Sequence, residues 1–268
     1  MWKNIKSAFS VWDVLRNTSS STLLRQSQMP VSLAIIASEN TFERLLIRLG
    51  SPDRAIRLDS EQQIPEADGQ ILLDGEKLFA MNDSDFELSL ARIALRHADR
   101  RIALAIAVPA FRRSVADQVS HEWALKNAKT AALSALPGVI PLTDWLSPVT
   151  SAGDLYILTK NQILLLLEVA ACYGRPFDPK ARIKELLPVV GGAFGWRAIA
   201  RELIGLVPGG VGVAVKAGVA YAGTFTVGRA AAYYYSGGGQ KMSDKQLGQV
   251  YRGAFTNALN RAKSLLTR

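Results

Sequence analysis

RIALAIAV, Arg101 to Val108, is a stretch of strand length, apolar throughout after Arg101, between the polar turn HADR and Pro109. As a strand it has apolar side chains on both faces, the pattern of a strand covered by helices on either side. Three further strand candidates precede it: VSLAIIAS (Val31 to Ser38), RAIRL (Arg54 to Leu58) and GQILLDG (Gly69 to Gly75). Helical patterns alternate with them. ENTFERLLIRLG stops at Gly50, and SDFELSLARIALRHAD (Ser84 to Asp99) sets Phe86, Leu90, Ile93 and Ala94 on one side. Strands alternating with helices predict a small parallel α/β sheet. The expected fold is α+β overall: a small parallel-sheet, degenerate NTPase-like α/β domain at 31–108, then an all-α bundle of helical hairpins at 109–268.

Past Pro109 the apolar period is helical. Ala110 to Ala135 reads as one long helix, with Pro109 suited to its first turn. LPGVIPLTDWLSP ends it, and Ser151 to Tyr173 is a second helix stopped by Gly174. Pro179 opens a third, and VVGGAFGW marks a break or close crossing before Trp196. VPGG stops the helix that follows. Ser243 is placed to cap the last helix, which runs to about Leu266.

The stretch LVPGGVGVAVKAGVAYAGTFTVGRAAAYYY, Leu206 to Tyr235, lacks the GxxxxGK[ST] register of a phosphate loop. Its small residues instead recur at helical spacing: Ala214, Gly218 and Ala222, continued by Gly223 and Gly228. Glycine inside a helix costs up to about 1 kcal/mol relative to alanine, so this helix must recover that by close backbone approach. Only 12 uncharged residues separate Lys216 from Arg229, against roughly 20 for a membrane span. A soluble helical core and a membrane insertion both remain open on this pattern. Asn161 and Gln162, inside the apolar run of the second helix, are interhelical hydrogen-bonding groups in either setting.

Catalytic chemistry finds no footing here. The first strand–helix junction, IIASENTFERL, offers a nucleotide neither glycine nor lysine, and Glu39 puts negative charge where a phosphate would sit. His97 and His121 have no metal-ligand spacing to a Cys or carboxylate, and His121-Glu122 reads as a helix-surface pair. The lone Cys172 excludes a disulfide framework and a zinc ribbon. No catalytic, cofactor or metal residue is expected.

Charge is more informative. The 268-residue chain carries a net +9, with a mean hydropathy of +0.10. From Arg175 to Arg268 there are 14 basic and 4 acidic side chains; before them the count is 18 and 19. Gln26 to Leu90 alone has 5 basic and 12 acidic residues. A basic end attracts anionic lipid, an acidic partner or nucleic acid; few aromatics sit among these charges, so nucleic acid is the weakest choice. Residues 1–17 form an amphipathic segment with Trp2, Ile5, Phe9 and Trp12 at helical spacing and Lys3 and Lys6 beside them. This suits either an interfacial membrane anchor or a terminal helix docked on the core. A polar linker at 18–30 follows, and the acidic stretch from Glu61 to Glu87 is the expected docking surface for a basic partner.

The run from Asn161 to Ala231 resembles the YcjF-type domain of unknown function. The features that carry the likeness are Gln162, Tyr173-Gly174, Arg182, the Ala-Arg-Glu-Leu run that includes Arg201, the Pro208-Gly209 step, and Gly228-Arg229. With the LPGVIP segment the likeness spans roughly the C-terminal 60% of the chain. The resemblance implies a helical companion domain of Era-like GTPases, in the bacterial cytoplasm or at the cytoplasmic face of the inner membrane. The expected function is a non-enzymatic, membrane-associated scaffold or adaptor for a GTPase, with self-association also open. The alternative is a soluble helical interaction module whose glycine-rich helix is buried core. An NTPase with an atypical phosphate site around Val207 to Lys216 is the remote one.

Overall fold

The structure, a computed structural model, describes residues 20–52, 56–58, 70–73, 76–78, 83–133, 152–193 and 212–266. They fall into two compact units. One is built from Ser20–Gln118 with Ala171–Phe177, and the other from the described parts of Val119–Ala170 and Asp178–Arg268. The units divide between Gln118 and Val119, inside a continuous helix.

The first unit begins with helix α1 (Ser20–Ser27), inside the segment expected to be a linker. Strand β1 (Leu33–Ile36) and helix α2 (Glu39–Arg48) follow, then β2 (Ile56–Leu58), β3 (Gln70–Leu73) and β4 (Glu76–Leu78). The strand order is β2-β1-β3-β4. Only β1 and β2 run parallel; β3 is antiparallel to both β1 and β4. Ile35 stands opposite Ile71, which stands opposite Leu78, and all three are buried. Leu33 and Leu73 extend the same buried face, while Ala34 and Ile36 on the other side are half-buried. That is the one-sided burial an antiparallel sheet tolerates. Leu73 stands opposite Glu76 at the end of the antiparallel β3–β4 ladder.

The expected parallel, NTPase-like sheet is therefore corrected in two places. The pairing is mixed and mainly antiparallel, and RIALAIAV is no strand: Arg101–Ala107 is helix α4, following α3 (Asp83–Arg96). Residues 101–105 are all buried, with α1 and α3 packed against the helix. A short run that is apolar on every side fits a buried helix as well as a buried strand, because burial all round erases the period that separates them. The described chain as a whole is mainly helical.

Helix α2 stops where the sequence places its glycine. Ser51 N–H donates to Leu46 C=O (2.8 Å) and Gly50 N–H to Ile47 C=O (3.0 Å), the paired bonds of a Schellman end. Gly50 holds φ +80°, and a Cβ there would meet Pro109 Cβ at 2.7 Å. No other residue fits both constraints.

In the second unit, α5 (Phe111–Leu133) enters from the first and is followed by α6 (Ala152–Cys172), α7 (Pro179–Ala193), α8 (Gly212–Ser236) and α9 (Asp244–Leu266). Asp178 Oδ1 accepts from Ala181 N–H at 3.1 Å to start α7, with Pro179 in the first turn as expected. That helix continues through Pro188 and the two glycines after it, so no break occurs up to Ala193. At the start of α9, Ser243 and Gln246 form a capping box. Gln246 Oε1 accepts from Ser243 N–H (2.8 Å) and Ser243 Oγ accepts from Gln246 N–H (3.3 Å). Ser243→Ala is expected to cost about 1 kcal/mol, read as a lower urea midpoint with an unchanged m value.

Helices α8 and α9 pack along their length. Val215, Val219 and Ala222 of α8 meet Tyr251, Ala254 and Phe255 of α9, with Tyr221, Phe225 and Leu259 packed around them. Among the described residues no helix is long and apolar enough to cross a membrane.

Candidate functional site: a polar seam in the helical unit

Two glycines of α8 lie in close contact with neighbouring helices. A Cβ on Gly218 would lie 3.2 Å from the Phe255 ring of α9. A Cβ on Gly228 would lie 2.2 Å from Ser120 Oγ and 2.7 Å from Ser120 Cβ of α5, and 3.2 Å from Leu165 of α6. Ala222 and Gly223 are buried between these points and Ala214 is half-buried. Of the five expected packing residues, Gly218 and Ala222 thus lie against α9 and Gly228 lies against α5 and α6.

That close approach encloses polar side chains. Asn161 of α6 donates from Nδ2 to Asn127 Oδ1 of α5 (2.6 Å), and Asn127 Nδ2 donates to Thr224 Oγ1 of α8 (2.9 Å). Their exposures are 5%, 0% and 3%, so water does not compete. Thr226 Oγ1 returns its hydrogen bond to Ala222 C=O within α8 at 2.7 Å. Asn161 fulfils the interhelical role read from the sequence, whereas Gln162 beside it is half-buried. At the outer edge, His121 Nδ1 lies 2.7 Å from Tyr221 OH, and the rings meet edge to face at 5.7 Å. Tyr221 in turn stacks on Phe225. The expected surface pair His121-Glu122 is thus divided: Glu122 is exposed, and His121 is half-buried against α8.

The electrostatics follow from burial. His121 binds its proton less readily than an ordinary histidine, first because burial disfavours the cation and then because Arg261 of α9 repels it; Glu122 opposes them. Burial raises Tyr221 above the ordinary phenol value, so its hydroxyl stays protonated. A second polar contact ties α7 to α8. Arg182 and Glu185 form an ion pair on α7, and Tyr235 OH donates to Glu185 Oε2 at 3.3 Å. Burial pushes Tyr235 up to about 12.

The other residues singled out by the sequence are spread across the chain. Arg182 joins that α7–α8 contact, and Arg229 is half-buried on α8. Tyr173 and Gly174 end α6, with Gly174 at φ +70°. Arg201, Pro208 and Gly209 lie outside the described residues, as do Trp2, Lys3, Ile5, Lys6, Phe9 and Trp12 and most of the Glu61 to Glu87 stretch. At the β1–α2 junction, Ser38 Oγ donates to Thr41 Oγ1 (3.1 Å), and exposed Glu39 occupies the first turn of α2. Among the described residues no three His, Cys, Asp or Glu side chains gather as a metal site.

Sequence reasoning missed Ser120, Asn127, Tyr221 and Thr224. The signal was present: Ser120 and Asn127 stand seven apart on α5, and Tyr221, Thr224 and Gly228 stand at i, i+3 and i+7 on α8. Such spacing puts each set on one helix face. No family model, no curated protein and no solved structure matches this chain.

Proposed function

We propose that the protein is a non-enzymatic scaffold whose helical unit meets an anionic membrane surface peripherally, through charge, while α8 serves as its internal core. The observation that carries this is the occupancy of α8. Its small-residue side meets Phe255 and Leu259 at Gly218, and Ser120 and Leu165 at Gly228, all of them protein. Contact with lipid is then left to the outer surface. Among the described residues of the helical unit, Lys126, Lys129, Lys180, Lys184, Lys241, Lys245, Arg252 and Arg261 are exposed, against exposed Glu122, Asp178 and Asp244. A basic excess of this kind attracts anionic headgroups at about 1 kcal/mol per residue near the surface. The resemblance to YcjF-type domains supports a GTPase of the Era-like class as the partner scaffolded there.

Flotation of the full chain with phosphatidylglycerol-containing vesicles tests the reading. Binding is expected at low salt and release at about 0.5 M salt, where screening shortens the reach of surface charge to a few ångströms. Retention through a carbonate wash would mean insertion and overturn it. Absence of flotation would leave the soluble interaction module, with α8 as core, in its place.

A further inference from the structure

We infer that the outer face of α5, from Leu125 to Leu133, is the part of the helical unit that lies on an anionic bilayer, its leucines entering the headgroup layer and its lysines meeting the lipid phosphates. This rests on the scaffold reading and names the face which that reading leaves open. Leu125, Lys126, Lys129 and Leu133 stand at i, i+1, i+4 and i+8, a spacing that puts them on one side of a helix. All four are exposed, whereas Trp123, Ala124 and Asn127, on the other side of α5, are buried. Leu133 is 64% exposed and Leu125 38%. Among the described residues of this unit, the other large apolar side chain left exposed is Val213. Exposed apolar surface is thus gathered on α5, beside two lysines.

That combination selects the partner. An interfacial helix binds through buried apolar area together with attraction to anionic lipid. The two leucines lie about 12 Å apart along the axis, at 1.5 Å per residue, with Lys129 between them. Leucine and ammonium therefore reach a bilayer together, and the lysine stems can cover apolar surface while their ends stay with the phosphates. Lys126 Nζ lies 4.3 Å from the centre of the Trp123 ring, so one cation is already held at the edge of the face. Exposed Glu122, one turn earlier on the same side, opposes the lysines but is outnumbered by them. A second copy of the chain fits worse. Pairing two such faces would bring the lysines of one chain against those of the other, and like charges brought together are costly. The outward face of α9 supplies the contrast. Lys245, Gln249, Arg252, Thr256, Asn257 and Asn260 are exposed there without a large apolar side chain. That face attracts phosphate but has nothing to bury in lipid.

The test places an environment-sensitive NBD fluorophore on Leu125→Cys, Leu133→Cys and, as the comparison, Gln249→Cys of the full chain. Cys172 is buried, so labelling of the folded protein goes to the new thiol. With phosphatidylglycerol-containing vesicles at low salt, emission at 125 and 133 should shift to the blue and be quenched by spin-labelled lipid. Emission at 249 should not change. In unlabelled protein, Leu125→Gln with Leu133→Gln should weaken vesicle binding about tenfold. Lys126→Gln with Lys129→Gln should weaken it about fivefold per lysine. Because these side chains are exposed, circular dichroism should show the fold unchanged in each variant. If the unsubstituted chain does not float, the membrane reading fails and this inference falls with it. If it floats, but the probes at 125 and 133 stay unshifted or either double variant binds like the original, this inference alone is overturned. A blue shift that grows with protein concentration in the absence of vesicles would mean that a second copy covers the face, and would also overturn it.

Discussion

Gly228→Ala is expected to lower the stability of the helical unit by about 2 kcal/mol, although alanine is the better helix former. Removing glycine from a helix interior gains up to about 1 kcal/mol. Against this, the new Cβ falls 2.2 Å from Ser120 Oγ and 2.7 Å from Ser120 Cβ. A hydroxyl can rotate, but a Cβ is fixed to its backbone, so α5 must move away from α8. Overpacking of this kind costs about 1–3 kcal/mol, and here it also stretches the Asn127–Thr224 hydrogen bond. Two other glycines serve as controls. At Gly218 the nearest atoms belong to the Phe255 ring at 3.2 Å, which can shift, so the net change should be small. Gly253 on α9 has nothing within 4 Å and is exposed, so alanine there should stabilise by up to about 1 kcal/mol. Urea denaturation of the three variants orders them, and Ser120→Gly should recover part of the loss in Gly228→Ala. Equal effects at Gly228 and Gly253 would contradict the close approach of α5 and α8.

Asn127→Ala is expected to cost more, about 3 kcal/mol. It removes two buried hydrogen bonds, and it leaves Asn161 Nδ2 and Thr224 Oγ1 short of a partner where water cannot reach. A net hydrogen bond is worth about 1 kcal/mol, and stranding a buried polar group costs about 1–3 kcal/mol. Both terms act here, and the cavity left by the side chain adds to them. The companion experiment replaces all three polar groups at once: Asn127→Leu, Asn161→Leu and Thr224→Val. Exchanging every partner for an apolar group avoids the stranded donors, so the triple variant should regain much of the loss. It should also show a weaker near-ultraviolet circular dichroism signal if the polar seam is what selects a single packing of α5, α6 and α8. A loss below about 1 kcal/mol in Asn127→Ala would show that the seam contributes little.

The two parts of the structure were legible to different degrees, for a reason visible in particular residues. Pro179 at the start of α7, Ser243 before α9 and Gly50 after α2 each act on backbone groups within a few positions of themselves, so their meaning survives without any tertiary contact. The observed helices Phe111–Leu133 and Ala152–Cys172 lie within the expected Ala110 to Ala135 and Ser151 to Tyr173. The glycine-rich helix was legible as a close-packing element because interior glycines must recover their helix cost by close backbone approach. The polar seam was half legible. Asn161 stood out in an apolar run, but its partner lies 34 positions away and Thr224 lies 97 from Asn127, and no local rule pairs them.

What the sequence alone determined is therefore local starts and stops such as those at Pro179, Ser243 and Gly50, since these depend on neighbours along the chain. Tertiary structure alone decided three things. RIALAIAV became a helix whose residues 101–105 are buried, with α1 and α3 packed against it. The sheet became mixed because β3 returns antiparallel beside β1 and so brings Ile71 against Ile35. His121 became a contact to α8 rather than a surface charge because Tyr221, 100 positions later, arrives within hydrogen-bonding distance. In each case the deciding free energy is burial or pairing between segments far apart in sequence, and a pattern read along the chain does not contain it.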